Sequence, residues 1–117
     1  MSRVVALMDD LFFQMKLAET AKQLGVEVKV AANGDALMSL MEHAPKLVIV
    51  DLNARSQPLQ AIEKVRQNNK DVRVVAFLSH VQTQLAAQAQ AAGCTEVLPR
   101  SINGTGKRCG RYRRMFE

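Results

Sequence analysis

Cysteine is scarce in this sequence, and the cysteines present are not arranged as metal ligands. Only Cys94 and Cys109 occur, and no Cys-x-x-Cys spacing is found. A structural zinc site or a disulfide framework would need more cysteines at regular spacing. We therefore expect both thiols to be reduced, and we expect neither kind of cysteine-based scaffold.

Long hydrophobic segments are also missing. No apolar run approaches the roughly 20 residues that a membrane-spanning helix needs. The first apolar run, in MSRVVALMDD, is interrupted early by Asp9 and Asp10, so the pattern of a secretory signal peptide is absent. With 117 residues, 48% of them hydrophobic, the chain can bury one packed core. We expect a single-domain cytoplasmic protein.

Net charge is concentrated at one end of the chain. The formal charge is +5 at pH 7, but residues 1–99 contain ten basic and ten acidic residues, so the whole excess lies in residues 100–117. A basic tail can bind nucleic acid or another acidic surface. Its only aromatic residues are Tyr112 and Phe116, so a solvated tail is favoured and nucleic acid is only weakly suggested as a partner.

The rest of the sequence alternates between two periodicities. Short apolar or alternating runs predict five strands, and apolar residues three or four positions apart predict four helices. The predicted strands cover 4–8, 26–32, 47–50, 72–78 and 95–98, and the predicted helices cover 11–24, 37–41, 56–69 and 81–92. Such alternation predicts an α/β fold, with a parallel sheet between two layers of helices. Continuous apolar runs fit strands that are buried on both faces.

The carboxyl-terminal sequence departs from this alternation. A fifth helix is expected there, but Gly104, Gly106 and Gly110 fall close together and no apolar stripe appears. Each glycine costs about 1 kcal/mol in a helix interior. We therefore predict a domain of residues 1–101 and a tail of residues 102–117, with the last helix atypical or missing. A sheet face without its helix would favour a homodimer or another partner.

Polar side chains follow the predicted strands at their carboxyl ends, which is the edge where parallel α/β sheets bind ligands. In strand order these residues are Asp9 and Asp10, then Asp51 with Asn53, then Ser79, and finally Arg100. Three carboxylates at close range repel one another, and a hard divalent cation with oxygen ligands, such as Mg²⁺, would relieve that repulsion. The sequence therefore predicts a magnesium site at this edge.

The same residues predict phosphoryl transfer to a carboxylate. A bound cation orients a phosphate donor and neutralises charge during transfer, and a carboxylate can be the nucleophile. Asp51 stands alone at its strand end and is the predicted acceptor. Ser79 could hydrogen-bond one phosphoryl oxygen, and Arg100 could pair with another. A single aspartate after a strand is more often a cap or loop residue, and Asp10 alone could be the N-cap of the first helix.

Five motifs, in this order, resemble the receiver domain of bacterial two-component response regulators, and in particular the chemotaxis receivers. They are LMDD at 7–10, AANGDALMSL at 31–40, LVIVDLN at 47–53, VVAFLS at 74–79 and AAGCTEVLPR at 91–100. The resemblance covers residues 3 to about 101. It implies a flavodoxin-like fold, which is a doubly wound, five-stranded parallel sheet with strand order 2-1-3-4-5.

The resemblance also implies a role for each matching position. Asp9 and Asp10 would hold Mg²⁺, Asp10 more directly, together with Asp51 and the backbone carbonyl of Asn53. Asp51 would accept a phosphoryl group from a histidine kinase or a phosphotransfer protein, and Ser79 would report its arrival. The implied function is phosphorelay signalling, in which phosphorylation switches a partner-binding surface. Such a protein is not an enzyme, although it could hydrolyse its own acyl phosphate.

Three departures from the family pattern leave an alternative open. The family has a lysine at the end of its last strand, usually followed by proline. Here Arg100 takes that place if the basic residues are aligned, and Leu98 takes it if the prolines are aligned. The aromatic switch position holds Val97, and NARSQPLQ at 53–60 replaces the usual Met-Pro-x-Met-Asp-Gly loop. The alternative is a degenerate receiver that binds partners without phosphate.

Two further classes of protein fit the sequence less well. A flavodoxin-like cofactor binder needs a phosphate loop rich in hydroxyl groups and glycine after the first strand. Here MDDLFF offers carboxylates, which would repel a phosphate. A haloacid-type phosphatase needs a second aspartate two residues after the nucleophile, and this sequence has Asn53 there.

Overall fold

Five strands and four helices alternate along the chain in the computed structural model, which describes residues 3–55, 57–78 and 83–99. In chain order they are β1 (Arg3–Leu7), α1 (Leu11–Gln23), β2 (Glu27–Ala31), α2 (Gly34–Met41), β3 (Leu47–Asp51), α3 (Pro58–Asn68), β4 (Arg73–Leu78), α4 (Thr83–Ala92) and β5 (Glu96–Pro99). Every predicted strand and helix is present. Within these residues, no helix has both the length and the apolar character needed to cross a membrane.

The strands form one parallel sheet in the order β2-β1-β3-β4-β5. The predicted doubly wound fold and its strand order are therefore confirmed. In the register of the three central strands, Leu7 lies beside Val50, which lies beside Ala76. Because the ends of these strands are level, the residues that follow them reach the same edge of the sheet. The prediction of an atypical last helix and a basic tail concerns residues 100–117, which lie outside the described residues.

The sheet separates two apolar layers. On one face, α1 packs on the sheet, and the ring of Phe13 meets that of Phe77 edge to face, with centroids 5.1 Å apart. On the other face, Leu37 of α2, Ile62 of α3 and Ala89 of α4 belong to a second buried cluster. All five residues of β3 are buried, which is what a continuous apolar run predicts for a central strand.

Helices α1 and α2 begin where a short polar side chain accepts hydrogen bonds from their first backbone N–H groups. Asn33 caps α2, because its Oδ1 accepts a hydrogen bond of 2.8 Å from the N–H of Ala36. Helix α2 therefore starts at Gly34, three residues before the apolar face that predicted it. Helix α3 starts differently, with Pro58 in its first turn and no side-chain cap.

Cys94 is a free, half-buried thiol at the start of the segment that leads into β5. Burial raises the pKa of this thiol above its ordinary value, while its own backbone N–H and the charge of Arg66 act in the opposite direction. A raised pKa keeps the thiol protonated and unreactive near neutral pH. Cys94 forms no disulfide within the described residues. Cys109 lies outside them, so the expectation that both thiols are reduced stays a prediction.

Candidate functional site

Asp51 is the last residue of β3, and its side chain is almost completely buried, with 1% of its surface exposed. The strand pairs it with Phe77 of β4. Its Oδ1 accepts a hydrogen bond of 3.0 Å from the backbone N–H of Asn53. A buried carboxylate is costly unless other groups support it. Asp51 is therefore not a strand end that simply meets water, because the sheet holds this carboxylate inside the protein.

Burial raises the pKa of the Asp51 carboxyl above its ordinary value, because desolvation penalises the charged form. The hydrogen bond from the Asn53 N–H acts in the opposite direction by stabilising the carboxylate. The negative charge of Asp9 raises the pKa further. The two carboxylates are thus close enough to interact, as the strand order predicted.

Asp9 is exposed at the end of β1, and it links two loops at this edge. Its Oδ2 accepts a hydrogen bond of 3.1 Å from the backbone N–H of Arg55, which follows β3. Residues 46 positions apart in the sequence are joined by this contact. It holds the segment after Asp51 against the end of β1.

Asp10 is half-buried and serves as the N-cap of α1. Its Oδ1 accepts hydrogen bonds from the N–H of Phe12 at 2.9 Å and from the N–H of Phe13 at 3.2 Å. The expectation that Asp10 could be a helix cap is therefore confirmed. A carboxylate has a second oxygen, so this cap does not by itself exclude a contact between Asp10 and a cation.

The fit of a metal ion depends on how these carboxylates are arranged. Among the described residues, no group of three or more aspartate, glutamate, histidine or cysteine side chains is placed so that it could hold a metal ion. The predicted crowding of three carboxylates is thus not found, and Asp9 and Asp51 remain as an interacting pair. Mg²⁺ commonly binds through one or two carboxylates, and water and phosphate oxygens complete its shell. A pair of carboxylates suits that chemistry.

Two of the predicted site residues, Ser79 and Arg100, lie outside the described residues. The residues directly before them in the sequence are described, and these two residues, Leu78 of β4 and Pro99 of β5, are partners in the sheet. Because β5 is an edge strand, it can include a proline, which has no N–H for a sheet hydrogen bond. Pro99 thus occupies a strand position, and Arg100 is the residue that follows the strand.

The loop after Asp51 contains a conformation that the sequence did not predict. Gln57, which lies directly before Pro58, has a φ of 55°, in the left-handed region. Residues with a Cβ atom rarely adopt this conformation. Gln57 makes this left-handed turn although its side chain has a Cβ atom. The contact between the backbone of Arg55 and Asp9 was also not predicted, since a backbone donor leaves no sequence signal.

No protein-family model and no curated protein sequence matches the chain, but solved structures do. The signal receiver domain of the response regulator NarL from Mycobacterium tuberculosis matches with a TM-score of 0.80 and 19% identity, over 97% of this chain and 90% of that one. The chain has the receiver fold. A response regulator from Burkholderia pseudomallei, with a phosphorylated aspartic acid, a calcium ion and citrate, matches with a TM-score of 0.82 and 19% identity, over 100% and 67%. A response regulator from Burkholderia multivorans matches with a TM-score of 0.69 and 28% identity, over 87% and 85%.

The receiver fold confirms the resemblance that the five motifs indicated. It accounts for the position of Asp51, because β3 lies at the centre of the sheet between β1 and β4. Asp9 follows the neighbouring strand β1, so this fold brings it close to Asp51 from a position about 40 residues earlier in the sequence. At these levels of identity, the structural match establishes the fold, and the chemistry has to be argued from the residues of this chain.

Proposed function

We propose that this chain is a phosphoryl-accepting receiver of two-component signalling, with Asp51 as the acceptor. The observation that carries the proposal is a carboxylate that is 1% exposed at the end of the central strand, with a second carboxylate close enough to affect its pKa. A residue that served only to end the strand would not need burial. The Burkholderia pseudomallei structure, which contains a phosphorylated aspartic acid, supports this chemistry for the fold.

In the proposed reaction, an Asp51 carboxylate oxygen attacks the phosphorus of the donor. A new bond forms between that oxygen and phosphorus, the bond between phosphorus and the donor breaks, and the donor leaves with the electron pair. The N–H of Asn53 holds Oδ1 in place, at 3.0 Å. Ser79 and Arg100 are assigned to the phosphoryl oxygens. The pairing of Leu78 with Pro99 supports that assignment, because each precedes one of these residues.

Asp9, Asp10, Asp51 and the backbone carbonyl of Asn53 would hold Mg²⁺, Asp10 more directly than Asp9. When bound, the ion supplies positive charge that offsets the carboxylates and the incoming phosphate. A cation at this edge is supported by the surroundings of Asp51, since burial and the charge of Asp9 both disfavour its ionisation. A positive charge at this edge would favour the ionised, nucleophilic form.

The first turns of α1 provide a surface for a protein donor. Leu11, Phe12 and Met15 are exposed by 71%, 80% and 67%, and they directly follow the acid pair. We call these three residues the α1 patch. Large apolar side chains that are exposed together are typical of protein interfaces. A donor that delivers phosphoryl to Asp51 must approach this edge, so we assign the α1 patch to a histidine kinase or a phosphotransfer protein.

A second candidate function is a degenerate receiver that binds partners without phosphate. Two observations favour it. Asp10 is engaged as a helix cap, and no group of three potential metal ligands is found among the described residues. The α1 patch would serve such a module equally well. Modification of Asp51 separates the two candidates.

The test is incubation of the full chain with acetyl phosphate and Mg²⁺, followed by measurement of the intact mass. We expect a gain of one phosphoryl group that is lost on chelation of the metal and in Asp51→Asn. The matched control is Asp71→Asn, which changes an exposed aspartate before β4 and should still be modified. If the chain gains no mass while an established receiver is modified in parallel, the degenerate receiver is the correct interpretation.

A further inference from the structure

A polar cleft of about 350 Å³ lies between the first turns of α2 and α3. Asp9, Asp10, Asp51 and Asn53 do not line it, so it is separate from the acceptor site. Its volume is within the range of small-molecule sites. The polar side chains that line it are Asn33, Asp35, Arg55, Gln57, Gln60 and Lys64.

The lining of the cleft selects for a compact, hydrophilic anion. Arg55 and Lys64 supply two positive charges against the single carboxylate of Asp35. Guanidinium and ammonium groups together suit a phosphate, which accepts several charge-assisted hydrogen bonds. Among the described residues that line the cleft, Ala61 alone has an apolar side chain, so they offer no apolar wall to a large ring. The side-chain amides of Gln57 and Gln60 can form hydrogen bonds with hydroxyl groups beside the phosphate.

Both walls of the cleft are held by hydrogen bonds that do not depend on a ligand. On the α2 side, the Asn33 side chain bonds the N–H of Ala36 at 2.8 Å, and its carbonyl bonds the N–H of Leu37 at 3.0 Å. On the α3 side, the N–H of Arg55 bonds Asp9 at 3.1 Å. A site with its walls held in this way loses less freedom when a ligand binds.

One residue of the cleft is strained. Gln57 has a φ of 55°, although it carries a Cβ atom. Such conformations cluster at ligand sites and switch regions, where the surrounding structure maintains them. Here the left-handed turn belongs to the residue whose side chain lines the cleft.

We propose that this cleft binds a small phosphate-bearing metabolite, with Arg55 and Lys64 on the phosphate. Binding does not require phosphorylation of Asp51, because Asp51 does not line the cleft. It does involve the segment after β3, in which the backbone of Arg55 holds Asp9. A bound anion would therefore steady the loop that also carries Asn53.

The test is an NMR titration of the ¹⁵N-labelled full chain with glycerol 3-phosphate. We expect saturable shifts in the amides of residues 33–35, 57 and 59–64. Arg55→Gln and Lys64→Gln should each weaken binding about tenfold, the usual size of a lost charge-assisted hydrogen bond. Both residues are exposed, so the variants should fold, and thermal melting verifies this. The matched control Lys46→Gln removes an exposed lysine at the opposite edge of the sheet and should bind as the parent does.

Three results would overturn the proposal. They are the absence of saturation, unchanged binding in the double variant Arg55→Gln/Lys64→Gln, and equal weakening by Lys46→Gln, which would indicate nonspecific attraction. Asp51→Asn should keep the binding of glycerol 3-phosphate while losing modification by acetyl phosphate. Failure of the cleft proposal and failure of the acceptor proposal are thus distinguishable.

Discussion

Asp51 illustrates how one buried carboxylate couples function to stability. Because its pKa is raised by burial, the folded chain holds the Asp51 proton more tightly than the unfolded chain does. The stabilisation linked to this proton is fully present below the ordinary aspartate pKa. This stabilisation is lost as the pH rises through the raised pKa of Asp51. The ionised Asp51 side chain therefore lowers the stability of the fold near neutral pH.

We expect Asp51→Asn to be more stable than the parent chain near neutral pH without divalent cations. An amide keeps the shape of the carboxyl group without its charge. The advantage should shrink as the pH falls, and it should be smallest below about 4, where the parent carboxyl is mostly protonated in the unfolded chain as well as in the folded chain. Urea unfolding across this pH range measures the effect. Asp71→Asn is the control with an exposed side chain, and an advantage for Asp51→Asn that did not depend on pH would contradict the assigned cause.

Gly93 and Gly25 allow backbone strain to be separated from crowding. Both have positive φ angles, 119° and 71°. A Cβ atom at Gly93 would lie 2.8 Å from Cγ of Arg66, whereas one at Gly25 would have nothing within 4 Å. We expect Gly25→Ala to cost about 1 kcal/mol of unfolding free energy and Gly93→Ala about 2–3 kcal/mol.

Urea denaturation of the two glycine variants measures this difference. In an Arg66→Ala background, which removes the Cγ and Nε that crowd Gly93 and keeps only the Cβ at 3.3 Å, the excess cost of Gly93→Ala should fall. Equal costs at the two glycines in the parent chain would show that backbone conformation, rather than contact with Arg66, requires glycine at position 93.

At the scale of elements, Arg66 joins the end of α3 to two other segments. Its Nε donates to the carbonyl of Gly93 at 2.8 Å, and its Nη1 donates to the carbonyls of Val72 at 2.6 Å and Lys70 at 3.1 Å. One guanidinium therefore connects α3, the turn before β4 and the turn after α4. A lysine has a single nitrogen and cannot reproduce this set of bonds.

Arg66→Lys is expected to lower the free energy of unfolding by about 2 kcal/mol, because the part-buried carbonyls of Gly93 and Val72 lose their donors. The matched variant is Arg73→Lys, which changes an arginine whose 2.7 Å ion pair with Glu96 is partly exposed. That change should cost less than about 1 kcal/mol. Chemical denaturation of both variants tests the comparison, and similar losses would contradict the role given to Arg66.

Periodicity predicted the elements because it records burial, residue by residue, within each strand and helix. The run LVIV at 47–50 predicted β3, and the spacing of Phe13 and Leu17 predicted α1. These residues are all buried, as expected. The sequence also placed Asp9 and Asp51 at one edge, because level strand ends follow from a parallel sheet. It could not predict the contact of Arg55 with Asp9 or the turn at Gln57, since these depend on loop geometry without periodicity.

At the scale of the whole molecule, two adjacent phenylalanines at the start of α1 have different surroundings. One faces solvent and the other packs in the core. Phe12 is 80% exposed, and Phe13 is 3% exposed against the sheet. We expect Phe13→Ala to cost about 3–5 kcal/mol of stability, as large core truncations do. Phe12→Ser should change stability by less than about 0.5 kcal/mol.

The same Phe12→Ser variant, combined with Met15→Gln, tests the α1 patch. Transfer from a phosphorylated histidine phosphotransfer domain should slow by about tenfold or more, because exposed aromatic residues often dominate interfaces. Modification by acetyl phosphate should not change, since a small donor needs no docking surface. Equal loss with both donors would place the defect at Asp51 and not at the α1 patch.

The two outer strands of the sheet have a consequence for how the molecule behaves in a crowded solution. On one side, β2 carries the exposed charged pair Glu27 and Lys29, whose charged atoms are 3.8 Å apart. On the other side, β5 ends in Pro99, which has no N–H to offer to an added strand. Charges and proline on edge strands discourage pairing between chains. We therefore expect neither outer strand to pair readily with another chain, which is the step that fibril growth requires. This holds although the central strands are almost wholly apolar.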